Sequence, residues 1–118
     1  MEVNAQFYEN TRAEVGNFIV EIQLTDGAGT EQVSLTSADT DADKDWTYTV
    51  DDANSRIIVE AVVSPSNVDV PTGDYGGSIL QNAVPEDITS EETFTTATLS
   101  SDDDELTVEH YVQIPEQV

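Results

Sequence analysis

The two-residue alternation that closes the chain constrains its fold more than any other feature. Between Leu106 and Ile114, the residues Leu106, Val108, His110, Val112 and Ile114 share one face, and Thr107, Glu109, Tyr111 and Gln113 share the other. A period of two puts successive side chains on opposite faces of a strand, whereas a helix would spread both sets around its axis. The threonine-rich run Phe94–Leu99 reads as a partner strand, with Ser100 to Glu105 as the tip between the two. Pro115 closes the returning strand, because proline has no backbone donor for a ladder.

The same period recurs upstream. Val3, Ala5 and Phe7 alternate with Glu2, Asn4, Gln6 and Tyr8, which predicts a first strand, followed by a polar connection over Asn10–Val15 that Gly16 punctuates. Asn17–Thr25 predicts a strand with Phe18, Val20, Ile22 and Leu24 on one face. Asp26-Gly27 and Gly29 form its turn, and Glu31–Thr36 returns with Val33 and Leu35 inward. After an acidic loop over Ser37–Asp45, Trp46, Tyr48 and Val50 alternate with threonines, a composition suited to a pleated surface. Asp51–Asn54 turns the chain into Arg56–Val63, which is apolar on nearly both faces and therefore belongs at the centre of a sheet. Residues 64–93 hold three of the four prolines and three of the six glycines and predict a long irregular region, with Ser78–Val84 as a strand or a helical turn inside it. The expectation is a single all-β domain spanning residues 1–118, an antiparallel β-sandwich or open barrel of about seven to eight short strands.

Charge sets the solvent and narrows the partners. The chain has 25 acidic and three basic residues, Arg12, Lys44 and Arg56, for a formal net charge of −22. Such a surface stays hydrated and repels itself, a penalty that salt removes as the Debye length falls to about 3 Å at 1 M. One lysine amid abundant Asp, Glu, Thr and Val is the compositional bias of extreme halophiles. Polyanion binding draws on Lys and Arg, so no nucleic-acid partner is expected, nor an anionic membrane surface. No apolar run approaches the roughly 20 residues of a membrane helix, so no membrane insertion is expected. Met1-Glu2-Val3-Asn4-Ala5 lacks the basic and apolar segments of a secretory leader. The absence of cysteine removes disulfides and thiolate metal sites. The 37% of hydrophobic residues are patterned, which distinguishes the chain from an acidic disordered one.

Few residue groups suggest chemistry. Asp39, Asp41, Asp43 and Asp45 alternate as in a calcium loop and form a candidate site for calcium or another cation. An EF-hand needs Gly and Glu where Lys44 and Val50 stand, so only a looser site fits, and solvation is the simpler use of these carboxylates, as of Asp102–Glu105. His110, the single histidine, falls on the apolar face of the last strand without an evident orienting partner, since Glu109 points the other way. It reads as a packing or interface residue. Gly73-Asp74-Tyr75-Gly76-Gly77 lacks the lysine of a phosphate loop and reads as a bent surface loop displaying Tyr75. Tyr75, Tyr111 and His110 are the candidate interaction residues. No catalytic constellation is evident, and neither a catalytic role nor a bound organic cofactor is expected.

The segment Phe94–Ile114 resembles the closing hairpin of tail, fibre and baseplate-associated proteins of tailed viruses. Those proteins end in a threonine-rich strand, a Ser/Asp turn and a Leu-Thr-Val-x-(Tyr/His)-x-(Val/Ile) strand, matched here by Leu106-Thr107-Val108-Glu109-His110-Tyr111-Val112. Arg56-Ile57-Ile58-Val59-Glu60-Ala61 is similar to their earlier Arg-Ile-x-(Phe/Val)-x-Ala strand. With the acidity, the resemblance implies a virion component of a tailed virus of halophilic archaea, in the tail, the fibre or baseplate, or decorating the capsid. It would assemble with copies of itself and other virion proteins in a high-salt cytoplasm, and then meet a high-salt medium. The alternative from a different class is a cell-surface or viral binding module that recognises a glycan or a surface protein through Tyr75 and the acidic loop.

Overall fold

The protein is described from a computed structural model that covers residues 5–15, 18–82 and 88–114. Among the described residues a helix, α1 (Ala5–Val15), precedes eight strands: β1 (Ile19–Thr25), β2 (Glu31–Leu35), β3 (Thr40–Asp41), β4 (Lys44–Asp51), β5 (Arg56–Val63), β6 (Gly73–Asn82), β7 (Ile88–Leu99) and β8 (Leu106–Gln113). They form two four-stranded antiparallel sheets, ordered β2-β1-β6-β7 and β3-β4-β5-β8, the expected β-sandwich. Ile22, Leu24, Val33, Leu35 and Leu80 of the first sheet join Ile57, Val59, Ala61, Val63 and Val108 of the second in one core, none more than 6% exposed. Each aliphatic side chain buried this way contributes about 1.5–3 kcal/mol. β5 lies between β4 and β8, the central place its two apolar faces predict.

Three expectations change. The first predicted strand is α1 over its described part; Val3, Gly16 and Asn17 lie outside the described residues, as do Ala83, Val84, Pro85 and Pro115. Tyr8 and Arg12, four apart, form the buried side of the helix, with Val15 packed against the core. The alternation of Ala5 and Phe7 is incidental, and tertiary contact overrides a weak period.

The second change lies in β1, where the register shifts between Ile19 and Glu21. That bulge turns Ile19 inward and leaves Phe18 61% and Val20 43% exposed, although the alternation put both on one face with Ile22 and Leu24. Ile22 and Leu24, beyond the bulge, keep the predicted orientation.

The third is the region 64–93, which is largely two long strands. Glycine here permits close approach, not a loop: a Cβ on Gly77 would lie 2.7 Å from Thr25 Oγ1 and 3.0 Å from the Glu92 carbonyl oxygen. The register with β7 shifts between Tyr75 and Gly77, so Tyr75 and Ser78 both serve the core side. Irregular chain is confined, among the described residues of this region, to 64–72, which carries the chain from the second sheet to the first.

The molecule is elongated, 55 × 27 × 26 Å. The pairings Lys44–Val63 and Val63–Leu106 gather the β3–β4 turn, the 64–72 crossover and the β7–β8 tip at one end. The pairings Asp51–Arg56 and Arg56–Gln113 mark the other end. There α1 docks through Arg12, which is 1% exposed, places Nε 2.9 Å from Asp52 Oδ1 and donates from Nη1 to the Ile114 carbonyl at 3.2 Å. The Tyr48 hydroxyl donates to the Arg12 carbonyl at 2.9 Å and fastens the helix to β4.

Candidate functional site

The carboxylates of the Asp-rich run do not converge. Asp39 accepts from the Thr36 N–H at 2.8 Å and pairs with Lys44 Nζ at 3.2 Å. Asp43 accepts from Ser66 Oγ at 3.1 Å and from Asn67 Nδ2 at 3.2 Å, and its carbonyl receives the Ser64 N–H. Asp104 accepts from the Ser100 and Ser101 N–H groups and shapes the β7–β8 tip. These are turn-fixing bonds that Asp makes in any loop. The fold brings Asp41 and Asp43 beside Asp102–Glu105 around an open hollow of about 620 Å³. Among the described residues, however, no three acidic or histidine side chains are placed to hold one metal ion. Asp39 and Asp43 are committed to loop bonds in different directions, so the structure does not gather Asp39, Asp41, Asp43 and Asp45, the candidate cation ligands, around one point.

Tyr75 is fully buried, not displayed. Its hydroxyl donates to the Pro71 carbonyl at 2.7 Å and anchors the crossover onto β6, and burial raises its pKa. It therefore cannot serve as a contact residue without unfolding that corner. Tyr111 is half-buried on the outer side of β8. The Arg56 guanidinium lies 4.3 Å from its ring centre, a cation–π contact, and its hydroxyl donates to the Glu109 carboxylate, the leading cause of its raised pKa.

His110 is the centre of a buried polar network that the sequence did not disclose. The side chain is 0% exposed between the sheets. Its Nδ1 lies 2.7 Å from Ser78 Oγ on β6, and its Nε2 lies 2.9 Å from Ser90 Oγ on β7. A neutral imidazole offers one donor and one acceptor, so one serine donates to the ring and the other accepts from it, whichever tautomer is present. Burial lowers the His110 pKa to about 4, which keeps the ring neutral at ordinary pH. The pattern is a cross-sheet staple: β8 of one sheet tied to two strands of the other through one ring. Ser78 is as deeply buried as the histidine, which gives a substrate no path to its hydroxyl. No buried side-chain nitrogen or oxygen among the described residues lacks a hydrogen-bond partner.

Beside this network, Glu92 stands opposite Ser78 in the β6–β7 register. Burial raises the pKa of its carboxyl, opposed in part by the Tyr111 backbone.

All three cations are engaged in ion pairs: Arg12 with Asp52, Lys44 with Asp39, and Arg56 with Asp51 at 2.9 Å. Hydrogen bonds from Asn54 and then from Arg56 hold the Asp51 carboxyl below its usual range. No helix among the described residues is long and apolar enough to cross a membrane. Comparison with known proteins finds no family, no curated sequence and no solved structure that matches this chain.

Proposed function

We propose that the protein is a non-enzymatic structural subunit of the virion of a tailed virus of halophilic archaea, placed in the tail, the fibre or baseplate, or on the capsid surface. The observation that carries the assembly reading is the exposed aromatic surface at one end of a 55 Å rod. Carboxylates of Asp41, Asp43 and Asp102–Glu105 crowd one end. Phe7, on the helix at the other end, is 56% exposed, and Phe18 and Val20 follow that helix. Exposed aromatic side chains are costly in water and characteristic of contact surfaces, whereas a carboxylate-rich end holds water at high salt. In this reading the helical end meets neighbouring subunits and the acidic end faces brine. The pairing of every cation supports partners other than nucleic acid. The virion assignment itself draws on the likeness of residues 56–61 and 94–114 to tail and fibre hairpins.

Light scattering coupled to size exclusion in multi-molar potassium chloride tests the reading. The expected outcome is a discrete oligomer, or co-sedimentation with virus particles, that Phe7→Ser and Phe18→Ser together abolish while circular dichroism is preserved. A strict monomer that never associates with particles overturns it.

A further inference from the structure

One flank of the sandwich is open. β8 ends the order β3-β4-β5-β8 and β7 ends the order β2-β1-β6-β7, so each has an edge that no described strand covers. The Ile114 N–H donates to the Ser55 carbonyl at 2.8 Å and continues the β5–β8 ladder. Main-chain groups of alternate residues point to opposite sides of a strand. Those of Val108, His110 and Val112 therefore face β5, as Ile114 does, and those of Thr107, Glu109 and Tyr111 face outward. Tyr111 is set against Glu92. Thr107 and Glu109 remain as the open stretch, and no described residue bonds their outward N–H and carbonyl groups.

A groove of about 210 Å³ runs along that stretch, between it and residues 92–94 of β7. Its apolar lining is Phe94, Leu106 and Val108, which belong to the core or pack against it. Glu92 and Glu109 make it acidic. Glu109 also stands directly opposite Glu60 of β5, on the outer face of the sheet, and like charges so placed disfavour each other. The Glu109 carboxylate accepts from the Tyr111 hydroxyl and keeps acceptor sites to spare, since an ionised carboxylate takes about four hydrogen bonds.

We propose that the Thr107–Glu109 edge of β8 binds an extended segment of a second protein, one that alternates apolar and basic residues. Such a segment docks on a sheet edge through its main chain, and its side chains go alternately to the two faces. We take it to pair antiparallel, as β4, β5 and β8 do. Its residue opposite Val108 then points into the groove over Phe94 and Leu106, which asks for an apolar side chain. Its residue opposite Glu109 ends the Glu60–Glu109 row on the outer face, which asks for lysine or arginine. Charge argues against a second copy as the occupant. Arg12, Lys44 and Arg56 are already paired with Asp52, Asp39 and Asp51, so a copy brings carboxylates and no uncommitted cation among the described residues. The edge lies toward the acidic end, away from the helix, and does not rest on the virion reading.

The test uses the whole isotope-labelled protein in about 1 M potassium chloride, where a Debye length of about 3 Å leaves only contact charge pairs. The probe is the capped hexapeptide Thr-Val-Lys-Val-Lys-Thr. Beside it run its glutamate counterpart and two forms N-methylated, one at the lysines and one at the valines. At millimolar concentration the lysine peptide is expected to shift amide signals of residues 92–94 and 106–109, and to slow hydrogen exchange at Thr107 and Glu109 several-fold. Methylation at the lysines, whose N–H groups face the edge, abolishes binding, and methylation at the valines preserves it. Glu109→Lys weakens the lysine peptide by at least about fivefold and admits the glutamate peptide. Glu31→Gln, on the opposite flank, changes neither. The proposal is overturned if the lysine peptide moves no signal at this edge, if the glutamate peptide binds as well, or if methylation at the lysines is harmless. It is also overturned if the protein alone protects these amides as its concentration rises, which makes a second copy the occupant. Phe7→Ser and Phe18→Ser together leave peptide binding intact, so this proposal and the assembly reading stand or fall separately.

Discussion

Replacing His110 by glutamine isolates the energetics of the cross-sheet staple. In the unfolded chain the imidazole titrates near 6.5, and in the folded protein near 4 because burial disfavours the charged ring. The folded state thus binds fewer protons than the unfolded state between these values. Above pH 6.5 the ring is neutral in both states and the contribution to stability is intact. As the pH falls from 6.5 toward 4, stability is lost at about 1.4 kcal/mol per unit. At about pH 4.5 the accumulated loss is about 2.5 kcal/mol, after allowing for the onset of protonation in the folded state. Carboxylates titrate over the same range, but they are common to both proteins and cancel in the difference. The assay is chemical denaturation at constant high salt, followed by the fluorescence of Trp46, the single tryptophan, which packs against the core. At pH 7.5 the variant is expected to be less stable by about 1–2 kcal/mol, since glutamine does not reach both serines. Between pH 7.5 and about pH 4.5 the original protein should then lose about 2.5 kcal/mol more than the variant does. Parallel losses in the two proteins would refute a buried, neutral His110.

Three further outcomes follow from the described contacts. Thermal melts should show stability falling below about 1 M potassium chloride, as carboxylate repulsion is no longer screened; an unchanged melting temperature from low to multi-molar salt contradicts this. Gly77→Ala should destabilise by about 1–3 kcal/mol, because the new Cβ meets Thr25 Oγ1 at 2.7 Å and the Glu92 carbonyl oxygen at 3.0 Å; an unaltered denaturation midpoint shows that the strands can separate without cost. Arg12→Ala should cost about 2–3 kcal/mol, since it strips the helix of its buried stem and of its bonds to Asp52 and Ile114; loss of helical circular dichroism before the main transition would report the undocking of α1.

The parts of the fold legible in the sequence were those where one period runs without interruption. In β5, Ile57, Val59, Ala61 and Val63 are buried in the order their spacing predicts, and in β8 Val108 and His110 point inward as expected. Legibility ended where a single residue changes the phase. The shift between Ile19 and Glu21 exchanges the faces of Phe18, Ile19 and Val20, and no local signal marks it. β6 was hidden because glycine is a turn former in isolation and a spacer in a sheet, and Gly77 acts as a spacer against Thr25 and Glu92. Tyr75 looked exposed for the same reason. The helix was hidden because its buried stripe is Tyr8 and Arg12, and a charged residue reads as surface until its partners, far away in sequence, are known. The His110 network was illegible for a related cause: Ser78 and Ser90 lie 32 and 20 residues from it, on the opposite sheet.

The Arg12–Ile114 contact also governs how the rod carries mechanical load. Because α1 and the final residues of β8 meet at one end, a pull applied between Ala5 and Ile114 does not slide the sheets past each other. It lifts β8 from β5, beginning at the Arg56–Gln113 pair and releasing the ladder bonds one after another. Peeling of that kind resists only weakly, whereas force along the rod, from the acidic end to the helical end, meets all the strands in parallel. Held at Ala5 and Ile114, the domain would therefore stand stiff against compression along the rod, yet come apart readily when drawn away through those two residues.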